Sequence, residues 1–388
     1  MASDLPPCKI KVIGVGGGGS NAVIRMVEYG VRGVDFVVMN TDVQALARAP
    51  ESVQTLAIGS SLTGGLGAGG KPAVGQEAAE ESLRDIEKIV EGADMIFVTA
   101  GMGGGTGSGA AAVVANAAQR AGALTVGVVT RPFTFEGGQR RKQAAASIAM
   151  LKPNVDALIT IANDKLLQIL PESVPLNEAL TCADDILRQG VVGISDIIIQ
   201  PGLINVDFSD VRSVMCKAGT ALMGIGSASG PNRAREAAER AVASPLLDIA
   251  VSQAKGAVFN IVGGPDLSLG DVGAAADVIN DAMAPDSMII FGALVDDRLQ
   301  PGSDVTVTMV ATGFVTDDGS DGFSNPPYSP IGVSTSSSSS GGAPVSPGAA
   351  FGEANAAVSQ STERDSGGST DSGDDLPEFL TRLKRKRR

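Results

Sequence analysis

The sequence predicts an α/β protein built on a doubly wound parallel sheet, with a long central helix, a second α/β unit and a polar tail. Three observations carry this. Short apolar runs alternate with helix-period segments from Lys9 to Ala162, the pattern of consecutive βαβ units. Glycine-rich turns stand where such a strand gives way to a helix, above all Gly103-Gly104-Gly105-Thr106-Gly107-Ser108-Gly109. Beyond Thr316 the composition shifts to Gly, Ser, Pro and Asp, which cannot bury a core.

Composition narrows the chemistry. At 388 residues with 43% hydrophobic content, two domains and a tail are expected. The net charge of −13 argues against general nucleic-acid binding. No apolar run approaches the roughly 20 residues of a membrane span. Neither a secretory signal nor an Arg/Ser-rich transit segment is visible before the first strand. Cys8, Cys182 and Cys216 are widely spaced, which fits a reducing compartment and no metal cluster. The histidine count is 0, which excludes a histidine triad, ligand or general base. Catalysis must then use carboxylates, amides, hydroxyls, backbone groups or a bound ion.

Taken in order, residues 1–8 read as a disordered lead and Lys9 to Val15 as a strand. Gly16-Gly17-Gly18-Gly19-Ser20-Asn21 reads as a turn, and a helix follows from Ala22. Gly14, Gly16 and Gly19 satisfy the dinucleotide fingerprint in its strand–turn–helix setting. Four consecutive glycines and a second glycine-rich phosphate loop weaken that reading, and no P-loop lysine motif occurs. Val34 to Met39 is a strand that delivers Asn40-Thr41-Asp42 to its carboxyl end, as crevice residues or as a plain polar turn. Gly64 to Pro72 is a third glycine-rich loop, either a cover for a terminal phosphate with Lys71 at its rim or a mobile connector. Glu77 to Val90 has helical spacing. Met95 to Ala100 is a buried strand leading into the 103–109 turn, where backbone N–H groups and a helix N-terminus favour an anion. Leu124 to Thr130 is a strand, followed by Arg131 to Gly137 and the basic Arg140-Arg141-Lys142, a ligand contact or a solvated helix face. Asp156 to Ala162 is a strand that ends in Asn163-Asp164-Lys165. Residues 176–199 form one long helix stopped by Pro201-Gly202. Asp184 and Asp185 near its start are a solvated turn or base-recognition groups. Asp207 and Asp210 are three apart and share a face on a helical turn. Beyond them, strands are expected at Leu222–Gly226, Val258–Gly263, Met288–Leu294 and Val305–Ala311, with helices at Ala234–Ala243 and Val272–Met283.

Residues 9–315 resemble the tubulin/FtsZ family nearly end to end. The resemblance is carried by Gly16–Asn21, Asn40–Asp42, Gly65–Pro72, Gly103–Gly109, Pro132–Gly137, Asn163–Lys165, Ala183–Leu187 and Asn205–Asp210. It implies a GTPase domain over 9–175, a central helix over 176–199 and an activation domain over 200–315. By resemblance, Gly17, Gly18, Gly19, Ser20 and Asn21, with Gly104, Gly105, Thr106, Gly107 and Ser108, wrap the phosphates of GTP or GDP. Glu136 holds the ribose, Arg140 sits by the nucleotide, Asp185 pairs with guanine and Asn163 supports the base. Asn205, Asp207 and Asp210 complete the site of a neighbouring subunit, while Mg2+ enters through the phosphates. Two departures are visible: Arg131 before Pro132, and Ala162 where a proline is usual. Neither removes a ligand group.

The implied protein is a GTPase that polymerises head-to-tail with itself into a division ring, in a cytoplasm or, for a mature plastid chain, a chloroplast stroma. An NAD-dependent dehydrogenase and a non-hydrolysing tubulin relative are the alternatives. The 316–374 stretch is expected to be a disordered linker with a mean reach of about 40 Å. Residues 375–388 resemble a docking peptide. Leu376, Phe379, Leu380 and Leu383 would line one face of a short helix, suited to a membrane-tethering adaptor. Lys384 to Arg388 adds a weak attraction to anionic lipid.

Overall fold

The computed structural model describes residues 8–168, 174–200, 202–204 and 206–314. The expected lead (apart from Cys8), linker and docking peptide, together with Asn205, lie outside those residues. In chain order the elements are β1 (Ile10–Val15), α1 (Gly16–Tyr29), β2 (Val34–Asn40), α2 (Val43–Leu46), β3 (Gln54–Ala57) and α3 (Ser60–Thr63). Then come α4 (Pro72–Glu81), α5 (Leu83–Val90), β4 (Met95–Gly101), α6 (Thr106–Arg120), β5 (Leu124–Arg131), α7 (Gly138–Leu151) and β6 (Ala157–Ala162). The second half runs α8 (Asn163–Leu166), α9 (Leu176–Ile199), α10 (Phe208–Met215), β7 (Gly219–Ala228), α11 (Arg233–Val242), β8 (Gly256–Gly263), α12 (Leu269–Ala282), β9 (Met288–Val295) and β10 (Val305–Thr312).

These strands form one sheet in the order β3-β2-β1-β4-β5-β6-β7-β10-β8-β9. Pairing is parallel from β3 to β7, antiparallel where β10 meets β7 and β8, and parallel again between β8 and β9. The first six strands follow the doubly wound dinucleotide-fold order. The chain order reverses between β1 and β4, and their carboxyl ends therefore bound the crevice where such sheets take ligands.

Both faces of this sheet are covered, so its central strands are apolar throughout: β4 is buried over its first six residues, Met95 to Ala100. Ala22, Val23 and Met26 of α1 pack with Ile186, Val191 and Ile194 of α9 on one face. Ile86 and Val90 of α5 pack with Ala111, Val114 and Ala118 of α6 on the other. A third core joins α11 and α12 to β8 and β10 through Ala237, Ala241, Ile279, Phe259 and Met309.

The strands and α9 stand where the sequence puts them. The differences are local. Gly16 to Asn21 are not a turn but the opening of α1. The helix expected over Glu77–Val90 starts earlier, at Pro72, and breaks at Ser82. β3 and α3 lack the periodicity that would have announced them, whereas α10 carries it in Phe208, Val211, Val214 and Met215. β3, for example, has only one residue that is not exposed, Leu56.

Candidate functional site

The crevice is built by backbone packing. α1 and α6 begin where the neighbouring strands β1 and β4 end, and neither has a side-chain cap on its first N–H groups. Glycine lets the two helix starts interlock. A Cβ on Gly19 would lie 2.2 Å from the Thr99 carbonyl oxygen, one on Gly16 2.6 Å from the Gly107 nitrogen, and one on Gly14 2.4 Å from the Gly19 carbonyl oxygen. Gly17 and Gly104 differ: a Cβ on either would meet no atom within 4 Å. Packing therefore accounts for Gly14, Gly16 and Gly19 but not for the two glycines that face open space beside the uncapped N–H groups. Uncapped helix N-termini of this kind favour an anion.

The side chains around the crevice divide by what they already hold. Ser20 is buried and its Oγ has no partner among the described residues. Ser108 Oγ accepts the Gly103 N–H at 2.8 Å, closing the phosphate turn on itself. The Thr106 hydroxyl lies 2.7 Å from that of Thr41. The 64–72 loop is seated rather than loose. Gly105 would strike Ala68 Cβ at 2.8 Å if it carried a Cβ, and Gly75 of α4 would strike the Gly105 carbonyl oxygen at 2.4 Å. Lys71 remains exposed at the rim. Gly103, at φ 101°, packs against Pro132 and the Arg140 backbone, which brings the start of α7 to the same turn.

Next to the phosphate turns, Glu136 accepts from the Phe133 N–H at 2.9 Å and from the Arg140 guanidinium. Asp164 of α8 accepts from both the N–H and the hydroxyl of Thr134, tying the segment that carries Glu136 to the helix that carries Asn163. Asn163 is buried, and its Oδ1 has no partner among the described residues. Arg131 and Ala162, the two departures from the family pattern, are cross-strand partners in the β5–β6 register.

The two adjacent aspartates of α9 separate. Asp185 is held by Arg188 Nε at 2.6 Å and Gln189 Nε2 at 2.7 Å, and it lines a groove of about 650 Å³ between α9 and the second half of the sheet. In that groove the Arg188 guanidinium lies 3.9 Å from the Tyr29 ring centroid, and the buried Asn260 Oδ1 has no partner among the described residues. Asp184 instead accepts from Arg25 Nε at 3.1 Å, and Arg25 also donates to Thr181. Arg25 stands one helical turn beyond Asn21 on α1. Asp184 is thus tied to α1 one turn beyond Asn21, whereas Asp185 lines the groove. Burial pushes the Asp184 pKa up to about 6, against the pull of Arg25.

Asp207 caps α10 by accepting the Asp210 N–H at 2.9 Å, and both residues are exposed. They follow the far end of α9, a 24-residue helix that spans roughly 35 Å. From Asp184 to the end of α9 at Ile199 the helix runs about 23 Å, which separates these carboxylates from the Asp184 side of their own crevice.

Two family models match the chain: the Tubulin/FtsZ family GTPase domain over residues 9–171, and the FtsZ family C-terminal domain over residues 219–315. Among solved structures, an empty FtsZ dimer from M. jannaschii shares 42% identity at a TM-score of 0.77, covering 80% of this chain and 89% of that one. A mutant FtsZ from the same organism shares 43% at 0.76, covering 79% and 91%. GDP-bound CetZ1 from Haloferax volcanii shares the fold at 24% identity and a TM-score of 0.66, covering 80% and 95%.

Proposed function

The chain belongs to the FtsZ branch of the Tubulin/FtsZ GTPase family, and from that premise we propose that it is a cytoskeletal GTPase that assembles head-to-tail into division filaments. The observation that carries the nucleotide site is the pair of uncapped, glycine-packed helix starts at β1 and β4, with Gly17 and Gly104 open to a ligand. The unpartnered Ser20 Oγ and Asn163 Oδ1 fit a polar ligand in the same crevice.

In this reading, the backbone of Gly17–Asn21 and Gly104–Ser108 binds the phosphates, with Ser108 shaping the turn. Glu136 accepts from the ribose hydroxyls and Arg140 balances charge beside it. Base reading is assigned to Asp184, held to α1 through Arg25 one turn beyond Asn21, rather than to Asp185, which lines the groove with Arg188 and Gln189. An ionised aspartate accepts from the two adjacent guanine donors, and adenine offers no such pair. Magnesium, carried by the phosphates, supplies charge compensation.

Hydrolysis is assigned to Asn205, Asp207 and Asp210 of the next subunit, because the part of α9 beyond Asp184, about 23 Å of helix, stands between Asp207 and Asp210 and their own crevice. A head-to-tail contact that does not close makes an open filament, and in it each chain's carboxylates orient water at its neighbour's nucleotide. The tail, residues 375–388, is assigned to a membrane-tethering adaptor, assisted by its basic end. No helix among the described residues is long and apolar enough to cross a membrane.

The test is GTPase activity per subunit against protein concentration, which should rise cooperatively. Asp210→Ala should bind GTP and hydrolyse it poorly. A specific activity independent of concentration refutes catalysis across the subunit contact.

A further inference from the structure

Asn40-Thr41-Asp42, at the carboxyl end of β2, belongs to none of the groups assigned above, yet both sides of the crevice meet at Thr41. Its side chain is buried, with 1% of the residue exposed. Its hydroxyl lies 2.7 Å from the Thr106 hydroxyl at the first position of α6, 65 residues away. Its carbonyl accepts the Gly67 N–H at 3.1 Å and the Thr63 hydroxyl at 3.4 Å. The neighbouring Asp42 forms an antiparallel bridge with Leu66, and the Val43 N–H donates to the Gly65 carbonyl. One residue thus grips the phosphate turn by its side chain and the 64–70 loop by its backbone.

We propose that Thr41 is a positioning residue for the phosphate site, holding the Thr106 hydroxyl in its binding orientation and the 64–70 loop in register with it. The proposal rests on the reading of this crevice as the GTP site. A hydroxyl has one hydrogen and two acceptor positions. When Thr106 turns its hydrogen toward a phosphate oxygen, the bond to Thr41 survives with Thr41 as the donor. Thr106 then accepts on one side and donates on the other, an arrangement in which each bond polarises the next. Valine at position 41 keeps the shape and loses the donor, so Thr106 is free to rotate and the loop anchor alone remains.

Displacement of a fluorescent GTP analogue, by GTP and separately by guanosine, tests this. Thr41→Val should weaken GTP about tenfold, the worth of one hydrogen bond, and guanosine less than about twofold, because only the phosphates meet Thr106. Thr41→Ser should keep GTP within about twofold of wild type, and in a Thr106→Val background Thr41→Val should cost nothing further. Should the valine chain not fold, Thr41→Cys, a weak donor of similar size, carries the same expectation. Equal losses for GTP and guanosine would make Thr41 a structural strut and overturn the proposal. So would an unchanged GTP affinity, or losses that add in the double variant. Failure of the wild-type chain to bind GTP at all would overturn the site reading itself.

Discussion

Gly17→Ala should stabilise the free chain and weaken its hold on GTP, two opposite effects of one methyl group. Gly17 lies in the first turn of α1, away from the left-handed φ of Gly16, and a Cβ there meets nothing within 4 Å. Alanine is favoured over glycine in a helix by about 0.5–1 kcal/mol, and a first-turn position justifies the lower figure. In a chain of this size that raises the melting temperature by about 1–2 °C. In the proposed complex the same methyl stands between the backbone and a phosphate. A tenfold loss of affinity is about 1.4 kcal/mol. At a GTP concentration of about 100 times the wild-type dissociation constant, ligand stabilisation then falls from about 2.7 to about 1.4 kcal/mol. Gly19→Ala is the control of opposite kind. Its Cβ would stand 2.2 Å from the Thr99 carbonyl oxygen, which is backbone and cannot swing aside. A cost of about 1–3 kcal/mol is expected with or without nucleotide. Thermal unfolding of the three chains, with and without GTP, measures both effects. A Gly17→Ala chain less stable than wild type without nucleotide, or one whose GTP-induced shift is undiminished, refutes the assignment.

Further outcomes follow from the crevice and its supports. With the Asp184 pKa held up at about 6 by burial, GTP affinity should fall as the pH is lowered from about 7 to about 5, because a protonated carboxyl loses an acceptor. Calorimetric titration checks this, and Asp184→Asn should flatten the profile. The same shift sets a sign for stability. The folded chain binds this proton more tightly than the unfolded one, so the group's contribution is complete below about pH 4 and is lost as the pH rises through about 6; urea melts across that range measure it. Asp184→Ala should erase the preference for GTP over ATP in competition, while Asp185→Ala should retain it; the reverse pattern would return base reading to Asp185. Gly109→Ala should lower urea stability by about 1–3 kcal/mol, since its Cβ would lie 2.0 Å from the Pro72 carbonyl oxygen and 2.5 Å from the Gln76 nitrogen.

What could be read ahead of the structure depended on how local the cause was. The helix over 176–199 was legible to the residue, because its apolar spacing runs unbroken until Pro201-Gly202 ends it. The four glycines after β1 misled. Composition says turn, whereas the fold makes them the start of α1, where contact with Gly107 and Thr99 excludes a Cβ at Gly16 and Gly19 but not at Gly17. The two glycine-rich helix starts were evident from glycine clustering between strand and helix. The facing of Asp184 and Asp185 was not. Neighbouring residues of a helix point about 100° apart, and periodicity cannot decide between them on a helix buried on most sides. The Thr41–Thr106 contact was equally hidden, since each hydroxyl stands alone in its own stretch and the pairing exists only through the β1–β2 and β1–β4 neighbourhoods.

The groove behind α9 gives the chain an optical property. The sequence holds no tryptophan and two tyrosines, Tyr29 and Tyr328. Tyr29 stands at the groove with the Arg188 guanidinium 3.9 Å and that of Arg298 5.7 Å from its ring centroid. Near-ultraviolet emission from a Tyr328→Phe chain therefore comes from one ring, placed where α1, α9 and the loop after β9 meet. A shift of any of these elements against the others alters the charge beside that ring, so its brightness reports on the groove in a protein that carries no dye.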